Sequence, residues 1–488
     1  MLQRSPWVPG GRSLLTSTPV IVLVVLGYVA ILHYVYQVII APRFAYLQYG
    51  YRTPDVLGYT VAILLAVGLA VLLPRRIGRP SHLVVWFLYV IAVVPTLLVP
   101  QYAPALSPAK ALELALWTGG CFLLVTLFGT RRVVRGFIPR MPLRATTFWS
   151  LVAALWLCLN VYVLMRAGLN LTLPSLGDVY GVRDEFRQEA TAVPGLAYAV
   201  PLLSKVINPA LVVHGLWDRR WRWVAAGIVG QIYLYAEEGS KAAVLSPLAV
   251  IAAFLVFKRR RLPPVGLALL AAPLVAVASL LADLVQGGDD VTSLLVRRMI
   301  ATPGLVTAGY VQVFDGIEKA HLSHSVLGSF VRSPYPYGSE PADLVGALFF
   351  GRADTHANAN WLADGYANFG YLGMVLASMV LVGLLWAIDD ATRGLPVGFA
   401  CLFFLMPVNA LSESAILTSL LTDGFVLAIV LCALAPREGW ARNSPIVGED
   451  EGPRGAPRDR PAPRDRPAPR DRPALRVPRP PRVPLGQG

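Results

Sequence analysis

Residues 19–40 read PVIVLVVLGYVAILHYVYQVII and decide the fold class of this chain. The run contains no Lys, Arg, Asp or Glu. At about 1.5 Å per residue, an α-helix of about 20 residues crosses the roughly 30 Å of hydrocarbon in a bilayer. Lipid offers no hydrogen bonds to an open backbone, so a run of this kind is expected to be helical. Its apolar core fits a cleavable signal peptide poorly, and we interpret the run as a signal anchor.

Apolar runs of similar length recur from one end of the sequence to the other. The chain has 488 residues, of which 55% are hydrophobic and only 15% are charged. This composition predicts an all-α polytopic membrane protein.

The net charge of +14 is concentrated in short clusters of basic residues. They lie in the segments 75–79, 131–144, 219–222 and 258–261. These clusters fall at every second connection between apolar runs, as the positive-inside rule requires of cytoplasmic loops. We therefore interpret the charge as a sign of topology and predict no nucleic-acid partner.

With those clusters inside, about twelve membrane spans follow, and both termini lie in the cytoplasm. The predicted spans are 19–40, 55–74, 81–99, 111–129, 145–165, 194–215, 223–236, 242–257, 264–285, 371–388, 396–411 and 416–435. Residues 1–18 are then a cytoplasmic N-terminus, and 19–435 form the transmembrane domain. The segments 223–236 and 242–257 are short, so they are either two tilted half-length helices or a re-entrant pair.

One connection, 286–370, is much longer than the others and mostly polar. Long loops without a simple connecting role are usually functional or disordered. This one is too rich in aromatic residues and apolar runs to be disordered. We predict a large extracytoplasmic loop that carries most of the protein's activity outside the lipid.

The character of the sequence changes beyond Pro436. The hexapeptide APRDRP occurs in tandem at 456–461, 462–467 and 468–473. A tract of proline and arginine with almost no apolar residues cannot build a core, so 436–488 are predicted to be a disordered cytoplasmic tail. The tail is either a basic segment attracted to anionic lipid headgroups or a solvated extension without a specific role.

The cysteines all lie inside apolar runs. They are Cys121, Cys158, Cys401 and Cys432. This placement favours packing residues over disulfides, metal ligands or nucleophiles.

Two groups of charged residues lie near the sixth to eighth predicted spans. One precedes the sixth predicted span, and the other lies between the seventh and the eighth. Arg183 and Arg187 are four residues apart, so on a helix they share one face and are able to bind a single anionic group. The alternative is an amphipathic surface helix. Glu237, Glu238 and Lys241 lie between two short apolar runs, which suggests a site reaching into the membrane. The alternative is an ordinary polar turn.

Arg297 and Arg298 follow the ninth predicted span. Adjacent arginines outside run against the positive-inside bias. Either an anionic ligand or a lipid headgroup would explain them, and charge-assisted bonds to an anion are strong.

The end of the long connection is dense in polar side chains. If residues 358–368 begin a helix, Asn360, Asp364 and Asn368 recur every four residues and form one stripe. His356 has carboxylates close on both sides in the sequence, Asp354 among them. Histidine is the usual general acid or base near neutral pH, so a catalytic or substrate-contacting role stands against a purely structural one.

These features resemble the bacterial O-antigen polymerase and ligase superfamily, in particular the oligosaccharide repeat-unit polymerases. The segments that carry the resemblance are 238–247, 360–373, and Arg298 with Gly309, an arginine-x10-glycine pattern. The resemblance covers roughly 160–430 and is topological as much as sequential. It implies a GT-C-like membrane fold with one dominant loop outside.

The resemblance implies that glycan on a polyprenyl diphosphate is transferred to a sugar hydroxyl of another lipid-linked unit, at the outer face of the bacterial cytoplasmic membrane. The base that accepts the hydroxyl proton is expected to be His356, with Glu238 and Asp354 behind it. The expected substrate-binding residues are Arg183, Arg187, Lys241, Arg297, Arg298, Asn360 and Asp364. No metal or cofactor is implied, because cations serve the leaving diphosphate. The implied partners are the polyprenyl-diphosphate-linked oligosaccharide, membrane lipids and a chain-length regulator protein.

Two other functions fit parts of the sequence. A lipid-oligosaccharide flippase is favoured by Lys205 and Asn208 in the sixth span and by Asp423 in the twelfth, because transporters carry interrupted helices and charges inside the membrane. A glycan ligase of the same superfamily would share the chemistry. A glycosyltransferase that uses a polyprenyl-monophosphate sugar is disfavoured, because residues 41–54 lack the acidic pair typical of its first outer loop.

Overall fold

The computed structural model describes residues 14–131, 134–168, 186, 193, 195–239, 241–259, 264–288, 290–325, 327–328, 334–352, 355–438, 440 and 446–447. Within these ranges the regular structure is helical, and two isolated β-bridges are the nearest approach to a strand. The predicted all-α class is confirmed.

The described residues contain fourteen helical segments of eight residues or more. They are α1 Thr18–Leu47, α2 Val56–Leu72, α3 Pro80–Tyr102, α4 Pro108–Gly129, α5 Ala145–Ala167, α6 Leu196–Asp218, α7 Trp221–Glu238, α8 Lys241–Arg259, α9 Val265–Gln286, α10 290–315, α11 Pro341–Leu348, α12 Trp361–Thr392, α13 Val397–Glu413 and α14 Ile416–Leu434. Each of the twelve segments that the sequence predicted overlaps one of these helices; that all twelve cross a membrane stays a prediction.

Eight of these helices are long and apolar enough to cross a membrane: α1, α3, α4, α5, α6, α9, α12 and α14. The shorter apolar stretches are Val56–Leu72, Leu245–Lys258 and Val397–Glu413. The chain is therefore a helical membrane protein, with eight candidate spans by length and composition among the described residues.

Four of the helices contain a widened π-turn that ends two residues before a proline. The prolines are Pro42, Pro95, Pro209 and Pro303, in α1, α3, α6 and α10. Proline has no N–H, and its ring clashes with the carbonyl four residues earlier. A π-turn, with hydrogen bonds between residues five apart, places that carbonyl elsewhere and lets the helix continue.

The connections rich in arginine share one end of the helix bundle, which we call the basic end. There Arg79 bonds the carbonyl of Thr130, and the Val265 N–H donates to the carbonyl of Arg75. At the opposite end the Arg52 N–H donates to the carbonyl of Tyr102. The alternation of basic and non-basic connections in the sequence thus corresponds to two ends of one bundle.

Residues 290–315 are not part of a polar loop, contrary to the prediction for 286–370. They form α10, which packs against α3 and α12 and buries most of its residues from Pro303 to Phe314. The closest approach is at Gly304, where an added Cβ would lie 2.3 Å from the carbonyl oxygen of Pro95. The apolar sequence of this segment explains its burial, and the prediction underestimated it because arginines and polar residues surround it.

Helix α12 is a hairpin rather than one straight rod. Phe369 and Gly370 leave helical geometry, Gly370 with φ of 62°. The indole N–H of Trp361 donates to the hydroxyl of Ser378 at 3.2 Å, although 17 residues of straight helix would span about 25 Å. Residues 361–368 therefore run antiparallel to the start of the long limb, which contains the predicted span 371–388.

The two limbs of the hairpin touch backbone to backbone through glycines. A Cβ on Gly373 would lie 1.9 Å from the carbonyl oxygen of Gly365. Neither atom is the flexible end of a side chain, so the contact has no room for a methyl group.

Gly373→Ala is expected to destabilise the hairpin by about 2–3 kcal/mol, as overpacking of a tight contact does. The matched control is Gly383→Ala on the same helix, where an added Cβ meets nothing within 4 Å. Apparent melting temperatures in detergent measure the difference. Equal melting of the two variants would contradict the close packing of the limbs.

The described structure continues past the predicted boundary at 436. The guanidinium of Arg437 donates to the carbonyls of Ala391, Cys432 and Ala435. The Val447 N–H donates to the carbonyl of Leu395. The repeats of the predicted tail lie outside the described residues.

Candidate functional site

His356 lies at the end of the bundle opposite the basic end, in the segment between α11 and α12. Its Nδ1 is 2.6 Å from Oδ1 of Asp343, which belongs to the first turn of α11. The side chains are 24% and 38% exposed. A carboxylate that accepts from Nδ1–H fixes the tautomer in which Nε2 carries the lone pair. The pair therefore has the arrangement of a general base with its orienting acid.

The segment that carries His356 is held on both sides. The Ala357 N–H donates to the carbonyl of Ala342 at 3.0 Å, which joins the segment to α11. The hydroxyl of Tyr310 donates to the carbonyl of Ala357 at 3.2 Å, which joins it to α10. Burial raises the pKa of Tyr310 well above its ordinary value, so this phenol stays a donor. Hydrogen bonds to α10 and α11 thus hold the backbone that carries the imidazole of His356.

Asn360 is buried, and both its oxygen and its nitrogen form hydrogen bonds within the fold. Its Oδ1 accepts from the N–H groups of Leu362 and Ala363 and so caps α12. Its Nδ2 donates to Oγ1 of Thr307 at 3.1 Å. The geometry assigns Asn360 to capping and packing, not to the substrate contact expected of it.

Asp364 and Asn368 also hold neighbouring segments. The Nδ2 of Asn368 donates to Oδ1 of Asp364 at 3.1 Å, and its Oδ1 accepts from the Leu322 N–H at 2.7 Å. The carboxylate of Asp364 additionally bonds the backbone of Ile416, the first residue of α14. The polar stripe of the sequence therefore links the hairpin to two other parts of the bundle.

Glu340 joins His356 and Asp343 in a group whose ligand atoms all lie within 4.8 Å of one another. One nitrogen and two carboxylate oxygens are donors that divalent cations accept. A cation bound at Nδ1 would have to displace the proton that bonds Asp343. The same three residues therefore fit either a base with its orienting acid or three metal ligands.

Arg297 lies in the π-turn of α10 with its guanidinium over aromatic rings. Its Cζ is 4.1 Å from the ring centre of Phe44 and 5.7 Å from that of Tyr49. Its Nε donates to Oγ of Ser293 at 3.1 Å. No carboxylate pairs with Arg297 in the described part of the chain. A cation that is fixed but not neutralised is suited to an anion.

Arg297 and His356 do not touch. Tyr310, which bonds the residue after His356, comes thirteen positions after Arg297 in α10. At about 1.5 Å per residue this is close to 20 Å. A single phosphate does not bridge such a distance.

A second charged group lies within the bundle. Lys205, in the π-turn of α6, pairs with Asp423 at 2.6 Å, where α14 is interrupted before Gly424. Glu413 and Glu238 interact electrostatically with the same ammonium. The structure thus places Glu238 near Lys205 and joins the two residues that the sequence associated with a transporter.

Several expected site residues cannot be placed. Arg183, Arg187 and Asp354 lie outside the described residues. Lys241 begins α8, but its side chain is not described. Arg298 is exposed and has a partner.

Sequence reasoning missed Asp343, the partner of His356. The local signal was Pro341 with Asp343 two positions later, a pattern typical of a helix start. Nothing in that pattern indicates which imidazole the carboxylate will meet.

No protein-family model, no curated protein and no solved structure matches this chain. The fold alone defines its class, a helical membrane protein.

Proposed function

We propose that this protein is a membrane glycosyltransferase that polymerises lipid-linked oligosaccharide repeat units. It would transfer glycan from a polyprenyl diphosphate to a sugar hydroxyl at the outer face of the bacterial cytoplasmic membrane. The observation that carries the proposal is the hydrogen bond of 2.6 Å between His356 and Asp343. This pair supplies a base for the attacking hydroxyl, which the transfer requires whatever the identity of the sugars.

The proposed reaction uses the pair as follows. Nε2 of His356 accepts the proton of the acceptor hydroxyl while the hydroxyl oxygen forms a bond to the anomeric carbon of the donor. The bond from that carbon to the diphosphate oxygen breaks, and the diphosphate leaves with the electron pair. Asp343 stabilises the imidazolium that forms, because a carboxylate next to Nδ1–H favours the charged ring.

Cations are needed where the diphosphates lie. The diphosphate that leaves must be next to the reacting carbon and hence to His356. Arg297 and Arg298 lie about 18–20 Å along α10 from Tyr310, which bonds the residue after His356, so they fit the diphosphate at the far end of the acceptor's repeat unit instead. The cations proposed for the leaving group remain Arg183, Arg187 and Lys241.

The topology proposed with this function has twelve spans and both termini in the cytoplasm. Two observations support it: a helix overlaps every predicted span, and basic connections meet at one end of the bundle. On this proposal the basic end faces the cytoplasm and His356 faces outward.

Deletion of the gene tests the function. Loss of long surface polysaccharide, with single repeat units still lipid-linked on the outer face, is the expected result. Restoration requires the wild-type gene on a plasmid. Long chains that persist but fail to reach their final acceptor would indicate the ligase of the same superfamily, and unchanged polysaccharide would contradict both.

A flippase is the second candidate, and the Lys205–Asp423 pair, between the π-turn of α6 and the interruption of α14, favours it. The same deletion distinguishes it. Repeat units trapped on the cytoplasmic side of the membrane indicate a flippase, whereas units that reach the outer side indicate a transferase.

A further inference from the structure

The ion pair of Lys205 and Asp423 is incompletely satisfied. The side chain of Asp423 is 5% exposed, and only its Oδ1 is bonded. Its Oδ2 is buried and has no hydrogen-bond partner among the residues that the structure describes. A buried acceptor without a partner costs free energy, so a missing donor is expected at this oxygen.

Lys205 is open on its other side. Its ammonium has three N–H groups, and the bond to Asp423 is its one hydrogen bond to a described residue. The side chain is 34% exposed, so a molecule from outside the bundle reaches it. An unused donor and an unused acceptor therefore lie side by side.

The backbone departs from regular α-helical geometry at both Lys205 and Asp423. Lys205 belongs to a π-turn, a feature frequent at functional sites. Asp423 precedes Gly424, which has φ of 87° and ends the interruption of α14. A Cβ on this glycine would lie 2.5 Å from Cγ2 of Val206. The left-handed glycine thus lets α6 and α14 approach closely enough for the pair to form.

The charges select the kind of ligand. A cation at Oδ2 would face the ammonium of Lys205, and an anion at Lys205 would face Asp423 with Glu413 and Glu238 in electrostatic range. Both contacts are repulsive. A neutral hydroxyl both accepts from an ammonium and donates to a carboxylate. It satisfies both groups without adding charge.

We infer that Lys205 and Asp423 form a second binding site, inside the bundle, for the hydroxyl groups of a sugar. The hydroxyl oxygen accepts from Nζ of Lys205, and its proton, or that of an adjacent hydroxyl, bonds Oδ2 of Asp423. The inference rests on the proposed function only in assigning the sugar to the lipid-linked glycan. A glycerol headgroup offers the same adjacent hydroxyls, so the test includes it as a second source.

The test uses full-length protein in phosphatidylcholine nanodiscs with two probes, octyl β-glucoside and phosphatidylglycerol. The variant is Lys205→Met/Asp423→Leu, which removes both charges; replacing a buried ion pair as a whole by apolar residues is often neutral for stability. We expect saturable glucoside binding by the wild type, at least about tenfold weaker in the double variant, with melting temperatures alike. Saturable binding of phosphatidylglycerol alone would support the hydroxyl chemistry and assign the site to a lipid headgroup.

Two results would overturn the inference: no saturable binding of either probe by the wild type, or equal binding by a folded double variant. If the double variant melts early, Asp423→Asn is measured in its place. This side chain keeps its size but loses the charge and one acceptor oxygen, so weaker glucoside binding is expected, and binding equal to the wild type by the folded variant would likewise overturn the inference. Asp315→Ala removes a carboxylate that is 48% exposed and pairs with Lys110, and this variant is expected to bind the glucoside like the wild type. A failure of the proposed polymerase activity shows in the polysaccharide profile and leaves this binding measurement untouched.

Discussion

His356→Ala is expected to abolish long-chain polysaccharide while leaving lipid-linked repeat units on the outer face. Loss of a positioned general base lowers the rate by about 10²- to 10⁴-fold, because the acceptor hydroxyl then attacks with its proton still attached. The measurement is chain elongation by purified protein in liposomes, followed under single-turnover conditions, together with the polysaccharide profile of the complemented deletion strain.

The matched control is His324→Ala. His324 lies in the same part of the chain and contacts the ring of Tyr335, and among the described residues no carboxylate forms a hydrogen bond with it. Burial lowers the pKa of His324, so this imidazole stays neutral near neutral pH. Near-normal elongation by this variant shows that removal of a histidine from the region is not harmful in itself.

Variants of Asp343 distinguish an orienting role of this carboxylate toward His356 from a merely structural role. Asp343→Asn keeps the size of the side chain but removes the charge that stabilises the imidazolium, so elongation falls while the melting temperature stays near that of the wild type. Asp343→Glu is expected to recover part of the rate. Normal polysaccharide with both His356→Ala and Asp343→Asn at wild-type protein levels would rule out the assignment of the base.

Asp389→Ala is expected to cost about 3–5 kcal/mol of stability, as removal of one partner of a buried ion pair does. The carboxylate, 5% exposed, lies 3.2 Å from Nη1 of Arg79. It also accepts from the N–H of Ser81 at 3.0 Å and from the Ser81 hydroxyl at 2.7 Å. Its loss leaves a nearly buried guanidinium and the first turn of α3 without their acceptor.

The readout is the melting temperature and the yield of monodisperse protein in detergent. Asp315→Ala is the control, because Asp315 is 48% exposed and pairs with the half-exposed Lys110. An ion pair of this kind contributes only about 0–1 kcal/mol. Equal melting of Asp389→Ala and Asp315→Ala would show that the contact at the basic end is not required for the fold.

Most helices could be located from the sequence because the signal is local. A run such as 19–40 is apolar along its whole length. Because lipid offers no hydrogen bonds, its backbone must satisfy its own polar groups and forms a helix. The same logic failed for 290–315, where arginines precede an apolar half. A helix buried against other helices and a loop outside the lipid differ in their neighbours, not in their composition.

Only some residues of the candidate site could be predicted from the sequence. His356 could be singled out because histidine is the residue type that suits a base, and Lys205 and Asp423 because charges inside apolar spans are costly. Their partners could not be read. Asp343 is 13 residues from His356, and Asp423 is 218 residues from Lys205.

The amino-acid sequence by itself determined that this is an all-helical membrane protein, where its apolar helices lie and which connections carry the positive charge. These properties follow from hydropathy and charge summed over short windows. Only the tertiary structure decided that α12 folds back at Gly370, that α10 is buried, and that His356 meets Asp343 and Lys205 meets Asp423. Close packing and hydrogen bonds act over about 3–4 Å, so such contacts depend on how distant segments come together.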